Sequence, residues 1–209
     1  GVSHPPAARA VPVPHHPTSS APDPQLRLET LLVRSGTGTD PATGAITTPI
    51  HLSTAYGHPG LGESTGYDYT RTASPTRDVL QDALARLEGG TAAFALSSGM
   101  AALELVTRTL APHGSRIVAL RDLYGGSFRF LEVLAEEGAA RVDFVLGLEG
   151  LRGALADPAD LVIIETPTNP MMEEISIPEA AELAHAAGAR LVVDNTFYTP
   201  VVQLSLIHI

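Results

Sequence analysis

The sequence predicts an α/β domain: a mostly parallel sheet with helices on both faces, preceded by an extended N-terminal arm. Three observations point to it. Short apolar runs alternate with helical stretches from residue 91 to residue 193. Runs such as Leu161–Ile164 are apolar at every position, as in strands covered on both faces. Glycines, Gly138 and Gly188 among them, stand where a helix must stop shortly before the next strand.

Taken in order, residues 1–25 are rich in proline (Pro5, Pro6, Pro12, Pro14, Pro17, Pro22, Pro24), which removes hydrogen-bond donors and blocks helix. A disordered extension is expected there. Leu26–Val33 reads as a short helix ended by Gly36. From there to Arg71 the chain is rich in Gly, Thr, Ser and Pro without periodicity, the composition of an arm. Ser74-Pro75 is an N-cap followed by proline at the first helical position. Val79, Leu80, Ala83, Leu84 and Leu87 then share one helical face up to Gly89-Gly90. Beyond Gly90, strands are expected at Thr91–Leu96, Arg116–Leu120, Arg141–Val145, Leu161–Ile164 and Arg190–Val193. Helices are expected at Ala101–Leu110, Ser127–Glu137, Leu151–Ala156 and Pro178–Ala187. Leu204–Ile209 is a tail with no visible continuation.

Composition narrows the function. The 209 residues carry 23 acidic and 13 basic side chains, a net charge of −10, which argues against general binding to nucleic acid or an anionic membrane. No apolar run reaches spanning length, and the start does not read as a signal peptide. There is no cysteine, so thiolate nucleophiles, disulfides and Cys-ligated metal sites are out, and no metal site is expected. All the basic residues are arginine. Without lysine, no side chain can form an imine with an aldehyde.

Unusual residues gather at the expected strand ends, where open parallel sheets bind ligands. Ser97-Ser98-Gly99-Met100 precedes a helix whose N-terminal N–H groups suit an anion. Asp122-Leu123-Tyr124-Gly125-Gly126 offers an aromatic ring beside two residues without side chains. Glu165-Thr166-Pro167-Thr168-Asn169-Pro170 is a stiff loop able to hold an Asn side chain in place. Asp194 ends an apolar run and needs a cap role or a cationic partner. Each feature alone also reads as ordinary structure: a Ser N-cap, a turn with a partly buried Tyr, a rigid loop, a helix cap. Four of them at strand ends of one sheet indicate a ligand crevice.

These residues also carry a resemblance. Tyr67-Asp68-Tyr69-Thr70-Arg71, followed by Ser74-Pro75-Thr76, resembles the signature of the cysteine/methionine-metabolism family of pyridoxal-phosphate (PLP) enzymes. Ser97–Met100, Tyr124–Gly126, Glu165–Pro170 and Asp194-Asn195-Thr196-Phe197 are similar to its further motifs, in order. The resemblance runs from about Leu26 to Gln203. The stretch Gly60–Tyr69 is most similar to the γ-synthase and O-acylhomoserine thiol-lyase branch of methionine synthesis.

The resemblance implies the large domain of a fold-type I PLP enzyme, here partial, over residues 76–203. Residues 26–75 would form a helix and arm against a neighbouring subunit. It further implies PLP as cofactor, an amino-acid substrate, a cytoplasmic homo-oligomer with shared sites, and γ-replacement on an O-acylhomoserine by a thiol. Tyr69 and Arg71 would reach the cofactor phosphate of the neighbouring subunit, and Gly99 and Met100 would offer it backbone N–H groups. Tyr124 would stack on the pyridine ring and assist proton transfer. Asp194 would pair with the ring nitrogen, Asn169 and Thr196 would orient the ring, and Arg129 would meet the substrate. Asp68, and Gly126 where methionine γ-lyases typically carry Cys, favour a synthase over a γ-lyase. Two departures stand out. Ser74 replaces a common Asn, and the Ser-x-Thr-Lys motif that carries the cofactor is missing, since Leu204–Ile209 does not resemble the continuation. A partial or mis-joined chain, inactive by itself, is therefore expected, and a non-catalytic interaction module is the alternative.

Overall fold

A computed structural model describes residues 26–37, 40 and 42–205. The expected Pro-rich extension over residues 1–25 and residues 206–209 of the expected tail lie outside the described residues. Contacts divide the chain into two compact units, up to Leu84 and from Ala85 onward.

In the first unit, α1 (Leu28–Arg34) is followed by Gly36 at φ +70°, a left-handed turn that suits glycine. Among the described residues, the arm beyond it forms isolated bridges, Thr37 with Thr47 and Ala55 with Tyr69, and no longer strand. Side chains hold it as well. The Tyr67 hydroxyl donates to Asp78 Oδ2 (3.0 Å), and Arg77 donates to the Thr72 carbonyl at 2.7 Å. Burial first, and then Asp78, push the Tyr67 phenol up to about 12. Helix α2 (Pro75–Glu88) begins on proline, whose missing N–H is not needed in a first turn.

The second unit contains α3 (Gly99–Leu110), β1 (Ser115–Leu120), α4 (Gly125–Glu136), β2 (Ala140–Val145), α5 (Gly147–Ala154), β3 (Leu161–Glu165), α6 (Ile177–Ala186), β4 (Arg190–Asp194) and α7 (Thr199–Val202). The four strands run parallel in the order β2-β1-β3-β4. All five residues of β3 are buried, and Ile117, Val118, Ala119 and Leu120 of β1 complete the dry centre. With the strand order β2-β1-β3-β4, the right-handed rule for such crossovers assigns α4 to one face and α5 and α6 to the other. The packing agrees: α3 lies on α4, and α5 on α6.

One expectation fails. Thr91–Leu96 forms no strand, and Phe94 is 71% exposed. An apolar run becomes a strand only beside a partner strand, and the four strands of this sheet pair among themselves without it. Helix α5 starts four residues before the expected Leu151, because Gly147, Gly150 and Gly153 disguise its helical pattern.

Arg116 fastens the N-terminal edge of the sheet. Its guanidinium donates to Asp143 Oδ2 and to the carbonyls of Ala154, Asp157 and Pro158, all between 2.7 and 3.0 Å. Only a planar fork reaches so many acceptors together. Arg116→Lys is expected to lower unfolding stability by about 1–3 kcal/mol. Arg108→Lys, at the exposed Arg108–Glu104 pair, is expected to change it by less than about 0.5 kcal/mol. Urea unfolding of both variants checks the contrast.

Candidate active site

The connection from β1 leads to β2 on one side, while β3 lies on its other side and leads to β4. Ligands collect at such a switch point, beyond the carboxyl ends of the strands. A cavity of about 400 Å³ opens there.

The start of α3 forms one wall. Ser98 Oγ accepts from the Ala101 N–H (3.1 Å), and its carbonyl accepts from the Ala102 N–H (3.1 Å). The terminus therefore directs the N–H groups of Gly99 and Met100, which line the cavity, to an outside acceptor.

The turn after β1 supplies Tyr124, 48% exposed. Its ring lies so close over Gly126 that a Cβ there would stand 2.5 Å from Tyr124 Cε1 and 3.0 Å from Met100 Sδ. Glycine at 126 is thus a condition of this ring position. The Tyr124 N–H donates to Glu165 Oε2 at 2.6 Å.

The loop after β3 brings Glu165, Pro167 and Asn169 to the cavity. Two buried hydroxyls hold it: Thr166 Oγ1 accepts from the Ile175 N–H and Thr168 Oγ1 from the Glu173 N–H, each at 3.0 Å. The end of β4 completes the ring with Asp194, Thr196 and Phe197. Asp194 Oδ1 accepts from the Thr196 N–H (3.1 Å) and hydroxyl (2.5 Å). Beyond it, Asn195 Nδ2 donates to the Gln203 carbonyl (2.6 Å). Gln203 Nε2 in turn donates to Asn195 Oδ1 and to the Thr166 carbonyl, both at 3.1 Å.

Of the residues singled out from sequence, Gly99, Met100, Tyr124, Asn169, Asp194 and Thr196 meet around this one cavity. Arg129 does not line it. It is exposed on α4, and its Nη1 lies 3.2 Å from where a Cβ of Gly125 would stand, beside the turn that bears Tyr124. Tyr69 and Arg71 belong to the first unit, where Arg71 Nη2 donates to the Tyr69 hydroxyl (2.9 Å) and the guanidinium lies 5.1 Å from the ring centre. Sequence reasoning missed Glu165 as a site residue, although it ends an apolar run as Asp194 does.

With this geometry, a class follows: a parallel-sheet domain whose crevice combines an anion seat, an aromatic platform and a carboxylate. The chain belongs to the family of Cys/Met metabolism PLP-dependent enzymes, whose model matches residues 29–208. It is 43% identical over 185 residues to a cystathionine γ-synthase of Haemophilus influenzae, covering 87% of this chain and 50% of that one. It is 46% identical over 176 residues to a cystathionine γ-synthase of Escherichia coli, covering 83% and 46%. Cystathionine β-lyases and γ-lyases match as well. A crystal structure of cystathionine γ-synthase from Xanthomonas oryzae pv. oryzae, in complex with aminoacrylate and cysteine, superposes with a TM-score of 0.83 at 40% identity, covering 87% of this chain and 47% of that one. The chain thus spans about half the length of the curated relatives it matches.

The donor set fits PLP. Two backbone N–H groups at a helix start suit a phosphate, and a carboxylate suits a protonated ring nitrogen. The cavity is of a volume that small ligands and cofactors occupy.

Two outcomes follow from this geometry. Gly126→Ala is expected to displace the Tyr124 ring, seen as shifted ring resonances in NMR spectra. Net stability should change by no more than about 1 kcal/mol, because alanine favours the helix while the ring yields. The second outcome concerns Glu165. Burial first, opposed by the Tyr124 N–H and reinforced by Asp194, raises its pKa above the ordinary Glu value. The native state therefore keeps this proton to higher pH than the unfolded chain does. The resulting stability is full below the unfolded pKa and is lost as pH rises through the folded one. Denaturant midpoints of Glu165→Gln should accordingly gain on those of the parent chain as pH climbs from below the ordinary Glu range.

Proposed function

We propose that this sequence is part of an enzyme that performs PLP-dependent γ-replacement on an O-acylhomoserine, with a thiol such as cysteine as the incoming group. The observation that carries the reading is the convergence of Gly99, Met100, Tyr124, Asn169, Asp194 and Thr196 on one cavity at the sheet's switch point. Bound PLP supplies an electron sink for removal of protons next to the amino-acid nitrogen.

The chain's residues would serve that chemistry as follows. The Gly99 and Met100 N–H groups bind the phosphate, aided by the dipole of α3. Asp194 keeps the ring nitrogen protonated, and Thr196, which donates to Asp194, fixes the carboxylate's orientation. Asn169 orients the ring edge. Tyr124 covers the ring face, and its phenolic oxygen moves a proton. Arg129, beside the turn that bears Tyr124 and outside the cavity lining, would meet the substrate, and Tyr69 and Arg71 would serve the phosphate of a neighbouring subunit. Methionine synthesis in the cytoplasm, by a homo-oligomer, is the setting this reading implies.

Support for the synthase over a lyase comes from the names of the relatives at 43–46% identity, from Asp68, and from Gly126. At Gly126 a Cβ, such as that of the Cys in methionine γ-lyases, meets the Tyr124 ring. The second reading, a cystathionine or methionine γ-lyase, is favoured by the lyases among the relatives. A non-catalytic module is the reading left if the encoding gene supplies no lysine.

The test is product analysis of the complete polypeptide encoded by the gene, given PLP, an O-acylhomoserine and cysteine. Cystathionine is the expected product. Ammonia and a 2-oxo acid from cystathionine, without replacement, would sink the synthase reading. The 209-residue chain alone, having no lysine, is expected to hold PLP without turnover and without a borohydride-reducible link in the crevice.

A further inference from the structure

Glu165 is a buried acid that the proposed chemistry does not use. Only 5% of its surface is exposed, yet its carboxylate stands at the floor of the crevice. Its register partner across the parallel ladder is Asp194, so the two side chains emerge on the same side of neighbouring strands. A second carboxylate beside Asp194 costs desolvation and repulsion, and both must be offset by something the carboxylate binds. The structure shows what that is. The Tyr124 N–H donates to Oε2 at 2.6 Å, and the Asn169 N–H favours the carboxylate to a lesser degree.

That N–H belongs to the turn joining β1 to α4. Tyr124 is the N-cap residue of α4 and makes no side-chain cap bond of its own. Its ring is half exposed and rests over Gly126, where a residue with no side chain offers no lateral wall. The ring position therefore depends on the backbone beneath it, which is tied to β3 through Glu165.

We propose that Glu165 is a positioning residue that holds the Tyr124 turn at the end of β3, and so sets where the Tyr124 ring lies over the bound ring system. The inference rests on the crevice being the PLP site, and its test separates the two. Glu165→Gln keeps an oxygen that can accept the Tyr124 N–H, whereas Glu165→Leu keeps the bulk and removes the acceptor.

Hydrogen exchange at the Tyr124 amide of the 209-residue chain is the first readout, with the Val162 and Ile163 amides as internal reference. In Glu165→Leu the Tyr124 amide should exchange at least about tenfold faster, the worth of one lost hydrogen bond to a charged group, while the reference amides hold. Glu165→Gln should restore the protection. The second readout is the circular dichroism of added PLP in its visible band, which reports a fixed ring orientation. At matched saturation the signal should be lost in Glu165→Leu and recovered in Glu165→Gln.

Unchanged Tyr124 protection in Glu165→Leu overturns the proposal. So does loss of protection throughout β1 and β3 in both variants, which would make Glu165 a core residue only. If the parent chain binds no PLP, the cofactor-site reading fails, while the exchange measurement still decides whether Glu165 holds the turn.

Discussion

Where β3 runs through the sheet it meets no water along its five residues, and β1 beside it is almost as dry, so charge is tolerated only where these strands stop. The remainder of the site follows from that restriction. Glu165 and Asp194 end neighbouring strands at the same register, the turn after β1 closes over them, and α3 brings a helix start to the opposite wall. The crevice is thus the polar margin of an apolar interior. Its position is fixed by which strands lie next to each other: the order β2-β1-β3-β4 puts the switch point, where successive strands change the side on which they are added, between β1 and β3 at that margin.

Much of this was legible from residue order. Four of the five expected strands form within a residue of the expected ends, because runs such as Leu161–Ile164 have nowhere to be but inside. Gly138 and Gly188 take the positive φ values that stop α4 and α6. Thr91–Leu96 misled, since apolar character indicates burial and says nothing of a hydrogen-bonding neighbour. Helix α7 was invisible because four residues carry no periodicity.

The site was legible in a similar, uneven way. Tyr124, Asn169, Asp194 and Thr196 announced themselves as polar or aromatic residues next to glycine, proline or a strand end. Glu165 carries the same signal as Asp194, a carboxylate ending an apolar run, but stands inside the longer Glu165–Pro170 motif, which masks it. The hydroxyls of Thr166 and Thr168 were unreadable, because a threonine's hydrogen-bond partner nine or five residues away depends on how the loop folds back.

The amide pair Asn195 and Gln203 has a consequence for how the crevice responds to its surroundings. Side-chain amides neither gain nor lose a proton across the range in which carboxylates and imidazoles do. The strap they form, from the end of β4 to the Thr166 carbonyl, is therefore indifferent to acidity. Glu165, one residue before the carbonyl that the strap reaches, is not. The amide strap keeps its hydrogen bonds through a swing in pH that alters the charge of Glu165, so acidification reaches the acid under Tyr124 while this link between the two strand ends stays fastened.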